Sequence, residues 1–148
     1  MTTPTTSRTG YAATPVQKAA LIVGIVFLLV GLAGFIPGLT DFNSFQFAGT
    51  GSQALLLGLF QVSVLHNLVH LLFGVLGVAL ARSSSGARGY LIWGGVVYAV
   101  LWLYGLIVPG DSAGNFVPLN GADNWLHLLL AVGMILLGVV LGRRGART

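Results

Sequence analysis

Apolar residues are gathered into long stretches that are separated by short segments rich in polar residues, glycine and proline. Four of these stretches reach transmembrane length, which is about 20 residues for a hydrocarbon core of ~30 Å. They cover residues from about 16 to 36, 54 to 81, 90 to 108 and 122 to 141. Because no backbone polar group can stay unpaired in lipid, we predict helices. The pattern indicates an all-α, polytopic membrane protein with a four-transmembrane-helix bundle in one domain, residues 14–142.

Residues that start and stop helices lie at the edges of these stretches. The segment Thr14-Pro15-Val16-Gln17 predicts an N-cap, a proline in the first turn and a capping-box glutamine. Pro37-Gly38 and Pro109-Gly110 predict the ends of the first and third helices, and residues 120–123 predict the start of the fourth. We expect residues 1–13 to be a flexible cytoplasmic tail and residues 143–148 to be a basic cytoplasmic tail.

Composition supports a membrane location. The chain is 55% hydrophobic and 7% charged, with a mean hydropathy of +0.91, whereas soluble domains carry about 25% charged residues. This excludes an ordinary cytosolic enzyme and a nucleic-acid-binding protein. The chain has no Cys, which excludes disulfides and thiolate metal sites.

The charged residues predict the topology. All bases fall on one side of the predicted spans and all acids on the other: Arg8, Lys18, Arg82, Arg88, Arg143, Arg144 and Arg147 against Asp41, Asp111 and Asp123. By the positive-inside rule both termini are cytoplasmic. We expect a multi-pass protein of the plasma (cell) membrane.

One helical hairpin is repeated in the sequence. Residues 67–75 match residues 124–132 at five positions (Asn, His, Leu, Leu and Val), and residues 21–24 resemble residues 91–94. The matching order of the blocks predicts two repeated hairpins of the same direction, and chance similarity between apolar helices is the alternative. Small residues at helical spacing predict the helix-packing positions Gly74, Gly77, Ala131 and Gly138.

All three histidines lie within predicted spans, where ionisable groups are costly and indicate a functional hypothesis. His66, His70 and His127, with Asn67 and Asn124, form a candidate intramembrane polar cluster. The main interpretation is that neutral histidines hydrogen-bond across helices, without a cofactor. One alternative is that the histidines bind haem or a divalent metal for electron transfer or sensing. A second alternative is a pathway for a small solute or protons.

The residues that carry enzymatic chemistry are missing from the sequence. It contains no nucleophile–base pair, phosphate-binding loop or carboxylate dyad. We therefore expect a non-catalytic accessory or structural component of the plasma membrane or of a membrane complex. Its expected partners are lipid and further protein, either as a homo-oligomer or as a larger complex, and not nucleic acid.

Three polar segments resemble a known family. Residues Leu65–Gly74, Asn115–Asn120 and Asp123–His127 resemble small four-span membrane proteins that are catalogued as a domain of unknown function and are common in high-GC Gram-positive bacteria. The resemblance extends over residues 11–142. It implies a plasma-membrane location and a four-helix bundle, and it implies no activity.

Overall fold

The fold is a bundle of helices with a small β-hairpin at one end. The computed structural model describes residues 10–108 and 110–144, so the expectations for residues 1–9, Pro109 and residues 145–148 lie outside the described residues. Within that part, the helices are α1 (Pro15–Ala33), α2 (Val64–Leu80), α3 (Ser84–Ile107) and α4 (Gly121–Arg144). Two short strands, β1 (Leu55–Leu56) and β2 (Phe60–Gln61), pair in antiparallel fashion between α1 and α2.

The predicted capping box at the start of α1 is confirmed. The Thr14 side chain accepts a hydrogen bond from the Gln17 backbone N–H, and the Gln17 side chain accepts one from the Thr14 backbone. Gln17 Nε2 also donates to the carbonyl groups of Gly10 and Ala81, at 3.0 and 2.9 Å. Residues 10–13 were expected to belong to a flexible tail, but the Ala12 N–H donates to Ala81 O and holds this segment on the bundle.

The second helix begins ten residues later than predicted, at Val64 instead of near residue 54. The apolar residues before it form the β-hairpin, in which Leu55 pairs with Gln61 and Leu56 with Phe60. Leu57 and Gly58 adopt positive φ values of 55° and 68°, which turn the chain between the strands. Ser63 is the N-cap, since its side chain accepts the N–H of His66 at 3.1 Å. An apolar run alone does not distinguish a buried hairpin from a helix.

The other helix ends also differ from the expected ones. α3 begins at Ser84, six residues before the predicted start, because the Ser83 side chain caps the helix by accepting the N–H of Gly86. α1 ends at Ala33, and α4 continues to Arg144, so the expected tail begins inside a helix. The start of α4 agrees with the prediction: Asn120 and Asp123 each accept the backbone N–H of the other, at 3.0 and 2.9 Å.

Two helix pairs build the bundle: α1 packs on α2, and α3 packs on α4. Both pairs approach closely at glycine. A Cβ atom at Gly24 of α1 would lie 2.8 Å from Val78 N and 2.9 Å from Gly74 O of α2. A Cβ atom at Gly95 of α3 would lie 3.1 Å from Ile135 N and 2.9 Å from Ala131 O of α4. Only residues without a bulky side chain permit such backbone contact.

The described helices include three that are long and apolar enough to cross a membrane, Pro15–Ala33, Ser84–Ile107 and Gly121–Arg143. α2 has 17 residues and is shorter. Every helix exposes large apolar side chains on its outer side, among them Ile22, Leu29, Leu72, Val75, Trp93, Val100, Leu129 and Leu136. The buried polar residues lie inside the bundle or at its ends.

Candidate functional site

The three histidines lie together at the end of the bundle that carries the β-hairpin. α2 and α4 both begin at this end, and His66, His70 and His127 lie in their first two turns. The ring centre of His66 is 4.7 Å from that of His70 and 6.2 Å from that of His127. All three side chains are buried, between 3% and 6% exposed. The spacing of four residues places His66 and His70 on one face of α2.

Each imidazole of this cluster has a buried nitrogen without a hydrogen bond. Among the described residues, the Nδ1 atoms of His66, His70 and His127 have no partner, and the same holds for the side-chain oxygens of Asn67 and Asn124. Asn67 uses its Nδ2 to donate to Gly34 O at 2.9 Å. At these atoms the structure shows no hydrogen bond between histidine and asparagine, whereas the His66 ring interacts with the backbone of Gln61. Buried polar atoms without partners are rare in proteins and call for an explanation.

Asp123 is the fourth ionisable residue at this site, and sequence reasoning assigned it only to the helix cap. Its Oδ2 accepts the N–H groups of Asn120 and Gln61, at 2.9 and 3.1 Å, so it connects α4 to the β-hairpin. The side chain is 2% exposed. The sequence repeat contains a signal that points to Asp123 as a site residue. When Asn67 is aligned with Asn124, Asp123 occupies the position equivalent to His66.

A cavity of about 100 Å³ joins the four ionisable residues, His66, His70, Asp123 and His127. Its other walls are apolar and come from α1, the β-hairpin and α4: Val30, Leu56, Leu57, Phe60, Val62 and Leu126. The surface of the cavity is almost entirely apolar, and the polar atoms of the four ionisable residues contribute little of it.

Aromatic rings pack beneath the cluster, farther from the hairpin. Phe27 of α1 stacks on Tyr98 of α3, with ring centres 5.4 Å apart and planes 12° apart. Phe27 also contacts His70 at 5.6 Å, and Tyr98 contacts His127 at 5.3 Å. A pathway for a small solute or protons along the histidines would therefore meet these packed rings beside His70 and His127.

Volume and donor positions limit which cofactor fits. Pockets for drug-sized ligands occupy roughly 300–1,000 Å³, and a porphyrin needs at least that much space. The cavity of about 100 Å³ does not accommodate haem. Among the described residues, no three His, Cys, Asp or Glu side chains already surround one point at which a metal could bind. A metal ion fits the cavity by size, provided that the imidazole rings turn towards it.

The known proteins that this chain resembles have no assigned activity. It is 29% identical over 128 residues to the uncharacterized membrane protein Rv3479 of Mycobacterium tuberculosis, an alignment that covers 85% of this chain and 11% of that protein. The chain thus spans about a ninth of the relative's length. No solved structure matches. Residues 17–140 match the family described as "Domain of unknown function (DUF4383)". The chain belongs to this DUF4383 family and is an integral membrane protein of unknown function, in agreement with the family resemblance of its sequence.

Proposed function

We propose that the protein is a non-catalytic accessory protein of the plasma membrane that crosses the bilayer four times. The observation that carries the proposal is the apolar outer surface of α2, the shortest helix. Its residues Leu68, Leu72, Val75 and Leu76 are 41–57% exposed, as a lipid-facing side requires. Its 17 residues extend about 25 Å, which is at the lower limit of transmembrane length. α2 also packs along α1, which is long enough to cross.

Both termini face the cytoplasm in this proposal. Lys18 lies in the first turn of α1, Arg82 between α2 and α3, and Arg143 at the end of α4, so these bases share one end of the bundle. Asp41 and Asp111 lie in the connections at the other end. This separation supports the orientation that the positive-inside rule assigns.

The two helix pairs arose, in this proposal, as copies of one hairpin. Equivalent contacts support it: Gly24 packs on α2 as Gly95 packs on α4, and Phe27 contacts His70 as Tyr98 contacts His127. Gly24 and Gly95 are 71 residues apart, one residue more than in the sequence match of Gly24 with Gly94. The contacts support an alignment of the two hairpins that differs by one residue from this sequence match.

The accessory role rests on the relative's size and on the exposed apolar surface. In the mycobacterial relative a segment similar to this chain is joined to a much longer polypeptide. The exposed apolar sides of the helices are available to lipid and to other protein, either further copies or a larger complex. We expect the protein extracted from native membranes to have a protein mass well above 15.4 kDa after the bound detergent is subtracted. Recovery of a monomer in mild detergent at native expression would contradict the role in a complex.

Single cysteines test the four spans, since the chain has no native Cys. Phe47→Cys and Phe116→Cys place exposed thiols in the two outer connections, and Ser85→Cys places one at the other end of the bundle. A membrane-impermeant maleimide should label the first two in intact cells and should label Ser85→Cys only after the membrane is opened. Labelling of Ser85→Cys in intact cells would show that the α2 segment does not cross, or that the orientation is reversed.

A further inference from the structure

We propose that the cavity bounded by His66, His70, Asp123 and His127 is a binding site for a divalent transition-metal cation, of which Zn²⁺ is the representative. The site adds a ligand to the accessory protein proposed above and does not depend on its topology. Imidazole nitrogen and carboxylate oxygen are the ligands that Zn²⁺ takes in proteins alongside thiolate. The transition metals from cobalt to zinc all accept imidazole.

The first argument is the unpartnered nitrogen on each ring. The three Nδ1 atoms are buried without hydrogen bonds among the described residues, and all three rings line the same cavity. A neutral imidazole offers one nitrogen lone pair as acceptor or ligand. Once the rings turn towards the cavity, a cation there would satisfy several of these atoms together, whereas the surrounding apolar walls supply no hydrogen-bond donor.

The second argument is charge. Asp123 brings a carboxylate to a buried site, and the backbone N–H groups of Asn120 and Gln61 hold one of its oxygens in place. The bases of the bundle lie at the other end; Arg143 is 20 residues along α4, or about 30 Å away. A carboxyl group at such a site is stabilised in its ionised form only beside an opposite charge or a metal, and a cation in this cavity would supply that charge.

The third argument is ring spacing. In a tetrahedral site, two imidazoles that bind one ion at about 2.0–2.1 Å have ring centres about 5.2 Å apart. The His66–His70 pair is close to that separation at 4.7 Å, whereas the His66–His127 pair, at 6.2 Å, must approach by about 1 Å. The donors do not surround one point in the present orientation, so binding requires the rings to rotate about their side-chain bonds. The cavity of about 100 Å³ has space for an ion and a water ligand.

Cobalt provides the direct test, because the visible d–d absorption spectrum of Co²⁺ in a histidine site differs from that of free Co²⁺ in buffer. The purified full-length protein is stripped with chelator in detergent and titrated with Co²⁺, and Zn²⁺ then displaces the Co²⁺. We expect saturable absorption at one ion per chain that Zn²⁺ abolishes. The proposal would be overturned if the Co²⁺ titration gave no saturable spectrum and the protein bound less than about 0.1 Zn²⁺ per chain.

Substitutions locate the ion. The combined His66→Gln, His70→Gln and His127→Gln variant should lose binding. Asp123→Asn keeps an oxygen for the two N–H groups but removes the charge, so it should retain the fold and weaken Zn²⁺ binding by about 10–100-fold, the range for groups that support metal ligands. Asp111→Asn is the matched control, since Asp111 is an exposed acid in an outer connection, and it should bind as the unmodified protein does. Unchanged binding in the triple variant, or equal weakening by the two Asp variants, would contradict this site.

Discussion

The packing of α1 against α2 through Gly24 gives a quantitative test of the bundle. In Gly24→Ala the new methyl group would lie 2.8–2.9 Å from three backbone atoms of α2, although ordinary contact begins at 3.4 Å. Backbone atoms cannot turn aside as a side chain does, so the helices must separate by about half an ångström and lose contacts. Overpacking of this kind costs about 1–3 kcal/mol. Gly133→Ala is the control, since a Cβ atom at Gly133 of α4 has no neighbour within 4 Å.

Both substitutions add the same methyl group to a helix, so the gain in helix propensity, about 0.5–1 kcal/mol, cancels in the difference between them. We expect the free energy of unfolding of Gly24→Ala, measured by denaturing-detergent titration, to be about 1–3 kcal/mol below that of Gly133→Ala. Gly95→Ala should lose a similar amount, because its contacts with α4 are equivalent. If Gly24→Ala were as stable as Gly133→Ala, the close approach of α1 and α2 would be wrong.

Three further substitutions test single interactions by the same unfolding measurement. Ser83→Ala should destabilise the protein by about 1 kcal/mol, because it removes the N-cap of α3. Ser85→Ala, which removes only a 3.5 Å contact with the Ser83 hydroxyl, should cost less; equal effects would contradict the cap. Asn67→Ala should cost about 1–2 kcal/mol by removing the buried bond to Gly34 O, and an unchanged stability would show that this bond is not formed. Tyr98→Phe should be neutral or stabilising by up to about 1 kcal/mol, because its buried hydroxyl has no partner among the described residues; a large loss would reveal a partner for the hydroxyl.

Local chemistry made some helix ends predictable from the sequence. The Thr14–Gln17 capping box is a short-range pattern, and the structure forms it as expected. Ser63 and Ser83 are also N-caps, but the first is surrounded by apolar residues and the second is followed by small polar ones. Hydropathy therefore extended α2 backwards over the β-hairpin and shortened α3. Both helices have an N-cap residue in the sequence. Assigning N-caps first and hydropathic stretches second would have found both of them.

The candidate site was predictable in part for a different reason. Histidine is so rare inside an apolar span that His66, His70 and His127 could be singled out without knowing the helix contacts. Their mutual distances depend on how α2 meets α4, which no local pattern contains. Asp123 was assigned to the cap and thereby removed from the site, although in the structure the same carboxylate caps α4 and lines the cavity. A residue with an evident local role can hold a second role that only the fold reveals.

In the proposed duplication, the two hairpins contribute different residues to the cavity at one pair of equivalent positions, His66 and Asp123. In two identical hairpins, the positions of His66 and Asp123 would carry the same residue. Two histidines there would give four imidazoles with no negative charge, and two aspartates would put two carboxylates in a buried space whose bases lie at the opposite end of the bundle. One residue of each kind leaves a single carboxylate beside three neutral imidazoles. Because a buried cation is stabilised by at least one opposite charge and a buried pair of like charges is not, this combination suits the proposed cation better than an anionic ligand.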